Sequence, residues 1–151
     1  MSSSTGTPDV VTAGLLEEHR ALRETLAGLE QELSRMPTPE AASAWCEAVS
    51  LRLRMLRAHL RSHFAREESG GFLEEVQRSA PEQQAACERL LHEHAELLGK
   101  LDGLVADATL RIDPPRWSEG LRELLQKLAR HEEREDELLL RALDTTPGAP
   151  D

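Results

Sequence analysis

The chain has few aromatic residues, few cysteines and no long hydrophobic run, and each shortage excludes a class of protein. Aromatic residues make up 3% of the 151 residues and tyrosine is absent, which excludes a tyrosyl-radical centre. Cys46 and Cys87 stand far apart and form no CxxC pair, so neither a disulfide framework nor a thiolate metal site is expected. No apolar stretch approaches the ~18 residues of a membrane-spanning helix and no signal-peptide pattern is present, so we expect a cytoplasmic protein.

The formal net charge of −10 narrows the set of partners. Nucleic acids and anionic membranes are bound by basic surfaces, so the acidic excess argues against both and suits cation binding. The chain has no G-x-S-x-G motif, no P-loop and no G-x-G-x-x-G sequence, and neither cysteine has a persuasive histidine partner. Turnover is therefore not implied, and we expect a binding protein more than an enzyme.

Leucine dominates the apolar residues and recurs at steps of three, four and seven, the spacing of one face of an α-helix. This spacing runs through four long segments, and few stretches alternate as β-strands do. We therefore predict an all-α protein, an up-down-up-down four-helix bundle with mostly short connections. The bundle is assigned to residues 10–144, with flexible tails at 1–9 and 145–151.

Proline and its polar neighbours mark where the later helices start. A cap side chain accepts hydrogen bonds from the free N–H groups of a first turn, and proline fits the first helical position because an N–H there has no partner. We expect the second, third and fourth long helices to start at the cap and proline pair Thr38 and Pro39, at a capping box of Ser79 and Glu82 around Pro81, and at Asp113 and Pro114.

Four histidines fall one to each long segment, and each has a leucine three residues before it. Residues three apart share a helix face, so each imidazole belongs to an apolar stripe that faces the core. Several buried imidazoles need partners, and a bound metal ion serves them together. The candidate ligands are His19, His63, His94 and His131, with Glu67 and Glu135 four residues after the second and the fourth.

Imidazole nitrogen and carboxylate oxygen are ligands that suit iron, manganese or zinc. Two ions are expected, because a carboxylate has two oxygens and can bridge a pair. Four histidines and two glutamates cannot fill two six-coordinate ions, so positions remain open for water, O2 or another small ligand. An open coordination position distinguishes a working site from a closed structural one.

Side chains meet across a bundle only when they lie at the same height. His94 and His131 are nearly equidistant from the last connection, so they should be level. His19 and His63 lie about 15 and about 24 residues from the first turn, a mismatch of roughly a dozen Å if both helices begin tightly there. Either the first connection is longer than it looks, or His59, one turn earlier, joins or replaces His63.

These motifs resemble the hemerythrin-like HHE cation-binding family, a four-helix bundle that holds a non-haem diiron centre. The resemblance runs from about Leu15 to Leu140 through LLEEHRALRE, HFAREE, LLHEHAELL and HEERE. It implies a pair of iron ions, with zinc or manganese as alternatives, held by the six candidate ligands with the two glutamates as bridges.

Two positions depart from the oxygen-carrying hemerythrins. The carriers have a second histidine on the third helix where this chain has Leu98, so the chain resembles the HHE branch with fewer ligands. The carriers also end with an aspartate where Asp136 stands, so Glu135 and Asp136 compete for the last ligand position. The four-residue spacing from His131 favours Glu135, because it keeps both side chains on one helix face.

The resemblance implies binding of O2 or a related small ligand, NO or peroxide, for sensing, storage or protection. The alternative is a structural or regulatory zinc or iron bundle that acts through a protein partner without small-ligand chemistry, and a redox enzyme acting on peroxide or NO is a third hypothesis. A ferritin-type site is excluded, because it uses glutamate three residues before histidine and this chain has leucine or arginine there.

The remaining polar and large residues are given simpler roles. We expect His92 to be exposed, Cys87 to fill the core, and the two tryptophans to pack at the end of the bundle. The solvated acidic face is predicted to comprise Glu68, Glu132 and Glu133, with Arg66 and Arg134 as ion-pair neighbours.

Overall fold

The computed structural model describes residues 7–69, 72–109 and 114–144. Within these residues the chain forms five α-helices and one short 3-10 helix, and no strand occurs, so the predicted all-α class is confirmed. The helices are α1 (Thr7–Ser34), α2 (Ala42–Ser69), α3 (Phe72–Ser79), α4 (Gln84–Thr109) and α5 (Pro114–Asp144), with the 3-10 helix at Pro81–Gln83. None of these described helices combines the length and the apolar character needed to cross a bilayer.

The four long helices pack around a common axis as a helical bundle. On α1 and α5, Arg23 pairs with Asp136 at one height, and Arg122 donates to the Leu33 carbonyl at another. Because residue numbers rise along α1 as they fall along α5, these two helices are antiparallel. Contacts at two heights relate α2 to α4 and α4 to α5 in the same way. The short α3 packs against α2, α4 and α5.

The buried residues form two apolar clusters with a polar layer between them. The larger cluster contains most of the buried leucines of α1, α2, α4 and α5, and Phe64 and Trp117 belong to it. The smaller cluster contains Leu73, Val76, Cys87, Leu90, Leu138 and Leu139. Each fully buried leucine stabilises the fold by roughly 1.5–3 kcal/mol, which offsets the cost of burying polar groups between the clusters. Cys87 is core filler as predicted, and the two tryptophans meet edge to face.

Two of the predicted helix starts are wrong. Thr38 and Pro39 lie in a turn, in which the Ala41 N–H donates to the Thr38 carbonyl at 3.0 Å, and α2 begins three residues after Pro39, at Ala42. Ser79 ends α3 instead of starting the third long helix, and the 3-10 helix intervenes: its cap residue is Ala80, and among the described residues no side chain caps it. In both places the chain uses its proline in a tight turn ahead of the long helix.

The other boundaries differ by a few residues. α1 begins at Thr7, so its first turn falls within residues 1–9, which the sequence assigned to a tail. α5 begins at Pro114, in agreement with the predicted proline position, while Asp113 lies outside the described residues. The predicted tail at 145–151 also lies outside them.

Candidate metal centre

One histidine from each long helix reaches the polar layer at the centre of the bundle. His19, His63, His94 and His131 are each at most 1% exposed. The Nε2 atoms of the first two lie 3.1 Å apart, and the ring centroids of the last two lie 4.9 Å apart. The four side chains that the sequence assigned to one site therefore lie together.

The expected mismatch in height between the first two histidines is absent, because the first connection is longer than the sequence suggested. α1 ends at Ser34 and α2 begins at Ala42, which gives α2 room to bring His63 level with His19. His59 is exposed, and its ring lies parallel to the His63 ring at a centroid distance of 6.2 Å. His92 is exposed, as predicted.

The two predicted carboxylate ligands are buried and lie against the four imidazoles. Glu67 Oε1 lies 2.7 Å from the Nε2 atom of its helix neighbour His63. Glu135 reaches both halves of the layer: its Oε2 lies 3.2 Å from His19 Nε2, and its Oε1 lies 3.1 Å from His94 Nε2 and 2.5 Å from His131 Nε2.

These donors form two groups, each compact enough to hold one ion. His19, His63, Glu67 and Glu135 offer ligand atoms within 4.8 Å of one another, and His94, His131 and Glu135 do the same. Glu135 belongs to both groups, which is the placement of a bridging carboxylate. Glu67 belongs to the first group, and its bridging role stays a prediction.

An outer ring of carboxylates orients the four imidazoles. Each Nδ1–H donates to an acidic side chain on a neighbouring helix: His19 to Asp136 at 2.6 Å, His63 to Glu18 at 3.1 Å, His94 to Glu68 at 3.1 Å and His131 to Glu93 at 2.7 Å. Such a bond fixes the ring orientation and the tautomer, and it makes the other nitrogen a better metal ligand. In the neutral rings, all four Nε2 lone pairs therefore face the centre.

Arginines hold three of these outer carboxylates from the solvent side. Arg23 contacts Asp136 at 2.7 Å, Arg66 contacts Glu18 at 2.8 Å, and Arg134 contacts Glu93 at 3.0 Å. The predicted ion-pair role of Arg66 and Arg134 was placed on the wrong carboxylates, because each reaches across to a neighbouring helix.

The outer ring follows a repeat in the sequence. Glu precedes His at 18–19 and again at 93–94, and the segments HFAREE (63–68) and HEERED (131–136) share histidine, arginine and two acidic positions. Each Glu-His pair donates one imidazole to the centre and one carboxylate to the histidine of the next long helix. This internal repeat was the signal for Glu18, Glu93, Glu68 and Asp136.

The centre brings hydrogen-bond acceptors together without enough donors. Within the described part of the chain, neither oxygen of Glu67 has a hydrogen-bond partner, and the same holds for Glu135 Oε2 and His131 Nε2. An unpaired buried polar atom costs free energy, and a carboxylate facing an imidazole lone pair at 2.7 Å repels it. Cations between these atoms remove both costs, and the donors are those that bind iron, manganese and zinc. The site therefore fits a metal.

Comparison with known proteins agrees with this chemistry. The family model for the hemerythrin HHE cation binding domain matches residues 10–143. The chain belongs to this family. No curated protein and no solved structure matches this hemerythrin-like domain.

Without metal, protons take the place of the cations in this hemerythrin-like domain. Burial, together with the neighbouring Glu135 carboxylate, raises the pKa of Glu67 to about 12. Burial alone would lower the pKa of His19, but the carboxylates around it, Glu135 first, raise it to about 9. Burial and the adjacent His19 lower the pKa of His63 to about 4. Metal ions must displace the protons on Glu67 and His19 to enter, so acid opposes metal binding.

Glu135 and Asp136, the two candidates for the last ligand position, lie in different parts of the site. Glu135 is fully buried between the two groups of donors. Asp136 is 17% exposed and binds the outer nitrogen of His19. Leu98, at the position of the carriers' extra histidine, is partly buried and packs against the larger apolar cluster.

Glu132 is not part of a solvated face, and that prediction is wrong. Its side chain is 0% exposed and lies 3.1 Å from His19 Nε2, whereas Glu68 and Glu133 are both exposed as predicted. Leu125 and Leu139, seven residues before and after Glu132, are both buried, so the heptad spacing of α5 carried the signal. Burial and the Glu135 carboxylate raise the pKa of Glu132 to about 7.

Proposed function

We propose that this hemerythrin-like domain holds two iron ions and binds O2 or a related small ligand, NO or peroxide, for sensing, storage or protection. The observation that carries the proposal is the orientation of the four imidazoles. Every outer N–H donates a hydrogen bond to a carboxylate, and every inner nitrogen faces a centre that contains Glu67 and Glu135. A chain that needed only a packed core would not bury this many acceptors face to face.

The donor set supports two ions with open positions. Glu135 serves both groups of donors, so a pair of ions would share one carboxylate. The four imidazoles and two carboxylates together are too few to complete two six-coordinate shells, even when both carboxylates are shared. Bound iron would supply a centre that changes oxidation state and accepts a small ligand there.

The protein surrounds the centre with apolar side chains. Phe64 is 2% exposed and stacks on the His94 ring at a centroid distance of 3.9 Å. Leu22, three residues after His19, and Leu128, three residues before His131, are buried in the larger apolar cluster. This packing excludes bulk water, which limits side reactions between a bound small ligand and the solvent. We also propose that any signal produced by ligand binding passes to a protein partner of this domain.

The test is purification without oxygen, followed by metal quantification and by optical spectra before and after exposure to air. We expect two iron ions per chain and an absorption change on exposure to air or NO. Glu135→Gln should lower the iron content, whereas the exposed neighbour variant Glu133→Gln should leave it unchanged.

Other outcomes of this experiment contradict the proposal. Well under one metal ion per chain would show that the centre does not hold metal as we infer. Stoichiometric zinc or iron whose spectrum ignores air, NO and peroxide, and whose removal collapses thermal stability, would support the alternative of a structural or regulatory metal.

A further inference from the structure

The two halves of the centre differ at one position of the repeat. Each half has a histidine on its second helix, His63 on α2 and His131 on α5, followed by a glutamate four residues later. The residue directly after the histidine is Phe64 in the first half and Glu132 in the second. Both side chains are buried, so one half of the centre receives an apolar ring where the other receives a carboxylate.

Glu132 is directed at the ion site of the opposite half. Its Oε2 lies 3.1 Å from His19 Nε2 and its Oε1 lies 3.9 Å from His63 Nε2. Within the described residues, neither oxygen has a hydrogen-bond partner. The His19 Nδ1–H donates a hydrogen bond to Asp136, so in the neutral ring that binds metal, Nε2 presents a lone pair to Glu132 and cannot donate to it.

Phe64 occupies the corresponding place beside the other pair of histidines. Its ring stacks on His94 and meets His131 edge to face at a centroid distance of 5.5 Å. A phenyl ring offers no ligand atom. The His94 and His131 group therefore has Glu135 as its carboxylate, whereas the His19 and His63 group has Glu67 and Glu135 and lies next to Glu132.

We propose that Glu132 is a further ligand of the ion held by His19 and His63, so that the two ions are unequal and a small ligand binds the ion held by His94 and His131. The proposal rests on the function proposed above and extends it. Five side chains then surround the first ion and three surround the second, so the open positions concentrate on the second ion. The first ion is held more tightly because two carboxylates in addition to Glu135 neutralise it.

The first test compares Fe²⁺ binding under anaerobic conditions in the wild type, Glu132→Gln and Glu133→Gln. The amide keeps the size of the side chain but removes its charge, and Glu133 is an exposed neighbour on the same helix. We expect two Fe²⁺ sites of different affinity in the wild type and in Glu133→Gln. Glu132→Gln should lower the Fe²⁺ affinity of the tighter site at least ~10-fold. Removing even a residue that only supports a ligand typically lowers metal affinity by about this factor or more.

The second test locates the small ligand with ⁵⁷Fe Mössbauer spectra. Loading one equivalent of ⁵⁷Fe²⁺ and then ordinary Fe²⁺ labels the tighter site, and the reverse order labels the weaker one. Addition of NO should change the spectrum of the weaker site and leave the tighter site unchanged. In Glu132→Gln, NO should change the spectrum whichever of the two ions carries the label, because a coordination position has opened on the ion held by His19 and His63.

Two results would overturn the inference while leaving the proposed function intact: two iron sites whose affinities are unaffected by Glu132→Gln, or NO binding to the first-loaded ion of the wild type. If neither site binds iron, the proposed function itself fails. Should Glu132→Gln not fold, Glu132→Asp retains the charge and withdraws the oxygens by one methylene. The same selective weakening of the tighter site is expected there, and unchanged affinity would contradict the proposal.

Discussion

Removing the metal and then raising the pH should destabilise the protein, because the empty centre is stabilised by protons. The folded state raises the pKa of Glu67 to about 12 and that of Glu132 to about 7, against a usual value of 4.5. It also raises the pKa of His19 from 6.5 to about 9. A raised pKa in the folded state gives stability that is present below the unfolded pKa and lost as the pH rises towards the folded pKa.

The magnitude follows from the protons that the folded state holds in excess. Between pH 5 and 6.5 the folded chain keeps the protons of Glu67 and Glu132, while the unfolded chain keeps that of His63, whose folded pKa is lowered to about 4. At higher pH, His19 adds to the excess and His63 no longer opposes it. The folded state therefore holds at least one more proton than the unfolded state from pH 5 to pH 8, and one such proton lowers the free energy of unfolding by ~1.4 kcal/mol per pH unit. The expected loss of unfolding free energy over this range is on the order of 4 kcal/mol. Glu135, whose folded pKa is lowered, affects stability only in more acidic solution.

The measurement is urea unfolding of the chelator-treated protein, followed by circular dichroism at fixed pH values between 5 and 8. Glu67→Gln removes one of the excess protons, so its free energy of unfolding should fall less steeply with pH. The metal-loaded wild type should behave in the opposite way, because acid protonates the ligands and releases the ions. A metal-free protein whose stability is constant or rises between pH 5 and 8 would refute the reasoning.

Two further changes test the surroundings of the centre. Asp136→Asn removes the charge that binds the outer nitrogen of His19. We expect the affinity for Fe²⁺, measured against a competing chelator, to fall ~10–100-fold. The control variant Glu137→Gln, at an exposed neighbouring position, should leave that affinity unchanged. An unaltered Asp136→Asn affinity would show that the outer carboxylate does not support the ligand. Leu60→Ala, at a position that is 0% exposed, should lower the free energy of unfolding by ~2–5 kcal/mol. Leu140→Ala, at a position that is 52% exposed, should lower it by under ~0.5 kcal/mol. Equal losses would contradict the assigned core.

The helices and the inner histidines could be predicted because both follow from periodicity. Leucines at helical spacing define the buried face of each segment, and a histidine three residues after a leucine shares that face. His63 and His131 each carry a glutamate one turn later, and the spacing alone placed these side chains on the same face. The family resemblance added the diiron interpretation to that pattern.

Helix starts were harder to predict, because caps and turns use the same residues. Thr38 and Pro39 suit the first turn of a helix, yet they also suit the turn that the chain makes before α2. That turn lengthened the first connection, which is why the height argument could not decide between His59 and His63 from the sequence.

The outer carboxylates and Glu132 were missed because they depend on contacts between helices. A glutamate in a charged run resembles a solvated residue until the neighbouring helix is placed. Glu93, for example, reaches His131 across the bundle at 2.7 Å. The local spacing within one helix contains no information on that distance, although the repeated Glu-His pairs and the heptad position of Glu132 were present in the sequence.

The most direct test of the central claim is a crystal structure of the anaerobically iron-loaded protein with anomalous scattering measured at the iron edge. We expect two iron peaks inside the bundle, one bound by His19 and His63 and the other by His94 and His131, with Glu135 contacting both. A single peak, or iron found only at the protein surface, would contradict it.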